Sequence, residues 1–165
     1  MIGERSQDDK QYTLTAFDPL KGRGKRLRTI EEDPAAPFEA TPLSPDGSIV
    51  ALPKSGEREI HIRMVSLSGG SDREITVKGW PNSQGLDWSV DGKGLYCGSA
   101  SPQGGTLLYL DLNGNARVLW QYKGAGHGEA GNAASAIWGF PSPDGGYLAL
   151  LANVKSSNVW MVEGF

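Results

Sequence analysis

The sequence predicts an all-β fold built from repeated short antiparallel strands. Three similar stretches, at 42–52, 87–98 and 140–150, align without gaps, and each places a polar Asp-Gly corner directly before an apolar strand. Alternating strands with turn residues between them follow each corner, and no long stretch has the apolar periodicity of an amphipathic helix. The corners are 45 and 53 residues apart (91 − 46 and 144 − 91). This spacing is typical of the four-stranded blades of a β-propeller.

The corners have the residue types of a tight turn. Pro143 sets the φ angle that the second turn position requires, Asp144 can accept a hydrogen bond from the backbone two residues on, and Gly145 supplies a positive φ without steric cost. We therefore predict structural corners and not a ligand loop. The predicted corner residues are Ser44, Asp46, Gly47, Asp91, Gly92, Ser142, Asp144 and Gly145.

A strand–turn–strand pair follows two of the corners. The second unit contains EIHIRMVSLSGGSDREITVK (59–78), and the third contains TLLYLDLNGNARVLWQ (106–121), which turns at an Asn-Gly pair. At the amino end, 12–30 resembles this pair alone, so we expect it to contain the third and fourth strands of its unit. At the carboxyl end, 157–165 resembles the first strand of the pair. Counting these units predicts about three and a half four-stranded antiparallel blades, a partial propeller.

The predicted organisation leaves blade edges open. We expect the chain to be the carboxyl-terminal half of a propeller, and the open sheet edges to favour a homodimer. The predicted boundaries are a poorly ordered tail at 1–11 and a propeller segment at 12–165, made of a blade part at 12–30, blades at 38–78 and 83–122, and a blade part at 136–165.

Composition excludes several classes of protein. The 165 residues are 38% hydrophobic and 21% charged, which is typical of one folded domain and not of a disordered chain. The net charge of −3 argues against nucleic-acid binding. No apolar window approaches the length of a membrane helix, so we expect neither membrane insertion nor a signal peptide. The chain has a single cysteine, Cys97, so no internal disulfide can form. A chain with one cysteine can fold in a reducing or an oxidising compartment, so its localisation is left open.

The corner motifs carry a resemblance to a known family. Ser44–Leu52 and Ser142–Leu150 resemble the TolB-like, or PD40, group of β-propeller repeats, which are WD40-like in architecture. The carboxyl-terminal part, with WSVDGKGLY, PSPDGGYLALL and SNVWMVEGF, is similar to the propeller of acidobacterial-type serine/threonine kinases. The resemblance covers the chain from about Tyr12 onward and implies a kinase-associated, extracytoplasmic propeller. It implies no particular activity, because propellers have many functions.

Candidate ligand-binding residues lie in loops that we expect at the mouth of the propeller channel. His127 and Glu129 fall in the longest connection, where they could bind a metal or transfer protons, although an exposed glycine-rich loop without a third ligand is the favoured interpretation. Trp80 and Trp138 could line a recognition surface, but packing between blades is favoured. Asn82 is expected on the same face as Trp80.

A basic segment at 20–28 has two interpretations. Its five cations could contact phosphate groups or an acidic membrane surface. A solvated turn is favoured, because no aromatic residues for base stacking lie among them. The five residues are Lys21, Arg23, Lys25, Arg26 and Arg28.

Catalytic signatures are missing from the sequence. No Gly-x-Ser-x-Gly motif or kinase signature occurs, and the histidines are His61 and His127 only. We therefore predict a protein without enzymatic activity, metal or cofactor that binds a protein or peptide partner as a sensing module of a larger signalling protein. The alternative is the propeller gate of a prolyl-oligopeptidase-like hydrolase whose catalytic domain lies elsewhere.

Overall fold

The computed structural model describes residues 1–8, 10–31, 41–101, 104–123 and 137–152. These residues form antiparallel strands and turns, as the all-β prediction requires. No helix long and apolar enough to cross a membrane occurs in this part of the chain. The strands are β1 (Ile2–Arg5), β2 (Gln11–Asp18), β3 (Gly22–Glu31), β4 (Ile49–Ser55), β5 (Glu59–Ser66), β6 (Arg73–Lys78), β7 (Gly85–Trp88), β8 (Gly94–Ser101), β9 (Gly104–Asp111), β10 (Ala116–Lys123), β11 (Ile137–Pro141) and β12 (Leu148–Ala152).

The strands form four sheets in chain order, and within each sheet every strand pairs with its neighbour in sequence. The sheets are β1–β2–β3, β4–β5–β6, β7–β8–β9–β10 and β11–β12, named here the first to the fourth sheet. The third sheet has the four strands expected of the unit at 83–122. In the unit at 38–78, the first strand is represented by a single bridge, Leu43 to Val50. Within the unit at 136–165, residues 153–165 lie outside the described residues.

The first sheet differs from the sequence prediction. We expected 1–11 to be a poorly ordered tail, but Ile2–Arg5 forms β1 and pairs with β2 from Ile2↔Thr15 to Arg5↔Tyr12. The physical reason is a corner that the sequence comparison missed. The Ser6 hydroxyl donates to Asp8 Oδ1 over 2.6 Å and accepts from the Gln11 amide over 3.0 Å, so β1 and β2 are held together.

This fourth corner also changes how 12–30 is placed in its unit. The corner residues Ser44, Ser89 and Ser142 each precede the second strand of a unit, and Ser6 precedes β2 in the same way. Counted from the corner, 12–30 therefore contains the second and third strands of its unit. The expectation that it contains the third and fourth was wrong.

The three predicted corners share one geometry. In each, the serine hydroxyl donates to the aspartate two residues on, at 2.6, 2.7 and 2.5 Å, and accepts the amide five residues on, at 2.9, 3.0 and 2.9 Å. The turn glycines have φ of +73°, +67° and +70°, a region in which only glycine is unstrained. Their residues are Ser44, Asp46 and Gly47, then Ser89, Asp91 and Gly92, then Ser142, Asp144 and Gly145.

The corner hydrogen bonds stabilise the ionised aspartates. Hydroxyls of Ser44 and Ser48 lower the pKa of Asp46 from its usual 3.8 to about 2. The serine hydroxyl of the same turn is also the main cause of a lowered pKa at Asp91 and Asp144. Each carboxylate accepts hydrogen bonds from the serine hydroxyl and from a backbone amide of its own turn, which favours a structural role for the corner.

Two apolar clusters join neighbouring sheets. The smaller cluster lies between the first and second sheets, and the larger one lies between the second and third sheets. Because alternate residues of each strand point to opposite faces, the second sheet contributes to both clusters. The smaller cluster contains Leu14, Ile30, Val50, Leu52 and Val65. The larger contains Ala51, Ile60, Ile62, Met64, Ile75, Val77, Leu86, Trp88, Leu95, Cys97, Leu108 and Leu110.

An ionic contact adds to the junction of the first and second sheets. Asp72 accepts from the guanidinium of Arg28 in the first sheet over 3.2 Å and from Arg63 in the second over 2.8 Å. The Asp72 side chain is 18% exposed, so this bridge is partly shielded from solvent. One cation of the basic segment is therefore used to join two sheets.

The fourth sheet lies on glycines of the third sheet. A Cβ atom added at Gly98 would be 1.9 Å from the carbonyl oxygen of Ile137, and one at Gly105 would be 1.9 Å from the Ile137 side chain. The Trp138 ring similarly occupies the space next to Gly85. The absence of side chains at these positions allows β11 to approach the third sheet closely.

Candidate functional site

The connections at 55–58 and 79–84 lie together at one end of the sheets, and we call them the loop edge. The Gly56 amide donates to the Pro81 carbonyl over 3.1 Å, and the Ser83 amide donates to Ser55 Oγ over 3.1 Å. The Gly79 amide donates to the Arg58 carbonyl over 3.0 Å. These bonds connect the second sheet to the segment that enters the third, so the loop edge is a cross-linked surface.

Asn82 fixes the loop edge to the third sheet. Its Nδ2 donates to the Ala100 carbonyl over 2.6 Å, and its Oδ1 accepts the Ala100 amide over 2.8 Å. The side chain thus replaces a neighbouring strand at the end of β8. The sequence analysis expected Asn82 in a binding loop, and it gave no sign that both ends of its amide bond to the backbone of Ala100.

The outer residues of the loop edge are polar and surround a tryptophan. Trp80 is half-buried and packs against the larger apolar cluster, which agrees with the packing interpretation of the sequence. Glu57 and Arg58 are exposed, and the Arg58 carbonyl is bonded to Gly79, the residue before Trp80. The edge therefore presents charged side chains of both signs and a partly accessible indole ring.

Of the other predicted site residues, one lies next to the end of the loop edge and two are not described by the structure. Trp138 is half-buried on Gly85, with its ring centroid 6.0 Å from that of Phe140. His127 and Glu129 lie outside the described residues. The residues that the sequence grouped around one channel mouth are thus represented at the loop edge by Trp80 and Asn82.

The histidine and cysteine side chains that could take part in catalysis are held in contacts within the fold. His61 lies between two carboxylates, with Nδ1 3.0 Å from Glu74 and Nε2 3.2 Å from Glu59. Cys97 is fully buried, and its burial raises the pKa of the thiol to about 11. Among the described residues, no group of three or more His, Cys, Asp and Glu is arranged to hold a metal.

A row of polar and aromatic side chains on the third sheet was not predicted. Register places Asp87, Tyr96, Tyr109 and Arg117 side by side across its four strands. The two tyrosine rings are edge to face at 5.7 Å, and the Arg117 guanidinium lies 5.6 Å from the Tyr109 ring. Burial raises the pKa of Asp87. The signal for this row is the strand register, which the sequence alone does not supply.

Comparison with known proteins identifies the fold. A TolB-like protein from Agrobacterium tumefaciens is 17% identical with a TM-score of 0.58, and the match covers 92% of this chain and 53% of that one. TolB from Acinetobacter baumannii is 19% identical with a TM-score of 0.57, over 96% of this chain and 39% of that one. Kuenenia stuttgartiensis hydrazine synthase matches at 13% identity and a TM-score of 0.53, over 90% of this chain and 48% of that one.

These similarities confirm a TolB-like β-propeller fold, and the sheets described above are its blades. The chain spans about half the length of the TolB structures that it matches. No protein-family model matches the chain, and no curated protein matches it at a significant level.

Proposed function

We propose that this chain is a non-catalytic β-propeller module that binds a protein or peptide partner at the loop edge, as part of a larger signalling protein. The observation that carries the proposal is the hydrogen-bonded cross-linking of 55–58, 79–84 and the end of β8. A surface that is already ordered loses little conformational entropy on binding. Trp80 and Arg58 are residue types that often dominate binding energy in protein interfaces.

Two further observations support a role without catalysis. The Cys97 thiol is buried, and its raised pKa keeps it protonated, so it is a poor nucleophile. Both ring nitrogens of His61 face carboxylates of its own sheet. The thiol is therefore shielded from a substrate, and the imidazole is held by carboxylates of the fold.

Peptide selection tests the proposal. We expect a random peptide library displayed on phage to yield ligands for the immobilised chain, because the loop edge offers an ordered surface with charges of both signs. Arg58→Glu and Trp80→Ala should each lower the affinity for the selected peptides by about tenfold or more. A tenfold loss corresponds to about 1.4 kcal/mol of binding free energy. Titration of fluorescent peptides measures the change.

The matched control is Lys93→Glu, which makes the same charge reversal at a corner of the third blade, away from the 79–84 connection. It should leave peptide affinity unchanged. If no peptide is selected, or if the selected peptides are equally sensitive to Lys93→Glu and Arg58→Glu, the loop edge is not the binding surface.

We also propose that two copies of the chain associate through the fourth sheet. Large apolar side chains are exposed there, with Phe140 43%, Leu151 46% and Tyr147 81% accessible. Several exposed large apolar side chains on one small sheet are typical of an interface. We expect light scattering to give the mass of a dimer for the wild-type chain and of a monomer for Leu151→Glu. A monomeric wild-type chain over a wide range of concentrations would exclude this association.

A further inference from the structure

The outer face of the first blade carries a positively charged groove of about 310 Å³. Three arginines and one glutamate are among its lining residues, which therefore have a net positive formal charge, whereas the whole chain has a net charge of −3. The opposite face of the same blade carries Leu14 and Ile30 and packs on the second blade. The groove is lined by Glu4, Arg5, Ser6, Thr13, Thr15, Arg23, Gly24 and Arg26.

Irregular pairing of β3 brings the arginines to one face. In a regular strand, residues three apart such as Arg23 and Arg26 point to opposite faces. Here the register with β2 shifts twice, so that Arg26 pairs with Thr15 and Arg23 pairs with Phe17, and each shift adds one residue to β3. Because cross-strand partners share a face, both arginines join the side of Thr15. The two bulges thus make the groove.

Thr15 forms the floor of the groove and has an unused hydroxyl. The residue is 2% exposed, and within the part of the chain that the structure describes, no group bonds to its hydroxyl. Buried hydroxyls are nearly always hydrogen-bonded, so the unpaired Thr15 hydroxyl is an exception. It is a donor that can still take an acceptor. Thr13 lies next to it on the same face, with its Oγ1 3.4 Å from Thr29 Oγ1.

The arginines of the groove differ in what they already bind. Both terminal nitrogens of Arg23 donate to the two oxygens of Glu4, with Nη1 2.8 Å from Oε1. This pair shows that the groove already holds an oxyanion between its donors. For Arg26, no ion pair or hydrogen bond of the guanidinium occurs among the described residues, although it lines the same groove. An incoming anion would therefore find free donors at Arg26 and Thr15.

We propose that this groove binds the phosphoryl group of a soluble phosphate monoester. The Arg26 guanidinium supplies a positive charge that no carboxylate among the described residues neutralises, and the several terminal oxygens of a phosphoryl group suit guanidinium and hydroxyl donors that approach from different directions. The groove is larger than one phosphoryl group, which leaves room for the esterified part of the ligand. The site lies on a different blade from the loop edge, so it is independent of the proposed partner binding.

Calorimetry with phenyl phosphate tests this proposal. At low ionic strength we expect saturable binding of phenyl phosphate, weaker binding of inorganic phosphate, and much weaker binding of acetate. Arg26→Gln should lower the affinity for phenyl phosphate by about five- to tenfold, because one charge-assisted hydrogen bond to the phosphoryl group is lost. Glu4→Gln should strengthen it severalfold, because the resident carboxylate no longer competes for Arg23.

The matched control is Lys25→Gln, which removes a positive charge from the same strand outside the groove. It should change affinity far less than Arg26→Gln. Thr15→Val keeps the shape of the buried side chain and should weaken binding by removing the hydroxyl. No binding of phenyl phosphate, or equal losses for Lys25→Gln and Arg26→Gln, would overturn the proposal.

A lipid surface is the competing source of phosphate. Vesicles containing phosphatidic acid, assayed by cosedimentation, separate the two cases. Retention on these vesicles without calorimetric binding of phenyl phosphate would show that a membrane is the ligand, and the proposal of a soluble ester would fail. Binding of phenyl phosphate that is lost in Arg26→Gln supports the proposal.

Discussion

Gly98→Ala is expected to destabilise the protein by about 3 kcal/mol or more, because the added methyl group cannot be accommodated. Its position would be 1.9 Å from the carbonyl oxygen of Ile137 and 2.8 Å from the carbonyl carbon. These are backbone atoms, so no rotamer change can relieve the contact, and β11 must move away from the third blade. The loss is a large fraction of a typical folding free energy. Urea denaturation measures it.

The matched control for Gly98→Ala is Gly146→Ala. Neither glycine has a positive φ, but a methyl group at 146 would meet Asp144 Oδ1 at 3.5 Å, an ordinary contact distance. We expect its effect to lie within about 0.5 kcal/mol. Hydrogen exchange should show that Gly98→Ala lowers protection in β11 and β12 more than in β4–β6. Equal stability of the two variants would mean that the fourth blade does not depend on this close approach.

The fold could be predicted because the corners use local chemistry. Ser-x-Asp followed by glycine forms a complete set of turn hydrogen bonds within six residues, so it marks strand ends without long-range information. The corner at Ser6 and Asp8 escaped notice because Asp9 replaces the glycine that follows the aspartate in the other three corners. The side-chain hydrogen bonds of Ser6 and Asp8 match those of the other corners, and a search for the Ser-x-Asp spacing alone would have located β1.

The candidate sites were less predictable because they depend on register and burial. The two bonds of Asn82 to Ala100 are contacts between segments distant in sequence, so they could not be read from the residues alone. The five cations at 20–28 look like one solvated turn, yet most of them lie in β3, where Arg28 bonds Asp72 and Arg26 lines the groove. The two bulges that separate these roles follow from pairing with β2, which a single sequence does not reveal.

Gly114→Ala is expected to cost more than its local backbone conformation explains. Gly114 turns the β9–β10 hairpin with φ of +88°, which costs about 1–2 kcal/mol for an alanine. In addition, the new methyl group would be 2.3 Å from the carbonyl oxygen of Thr76 in the second blade. Overpacking against this backbone atom should add about 1–3 kcal/mol. The hairpin would have to move away from β6, and the two blades would lose part of their contact.

Gly22→Ala isolates the contribution of this contact between blades. Gly22 also turns a hairpin with a positive φ, +82°, but nothing lies within 4 Å of a methyl group added there. Denaturation of both variants therefore measures the same conformational cost with and without the collision. A larger loss for Gly114→Ala would show that the second and third blades are held in register by a turn as well as by their apolar cluster. Equal losses of stability in the two variants would mean that the apolar cluster alone holds the second and third blades together and that the hairpin moves aside without cost.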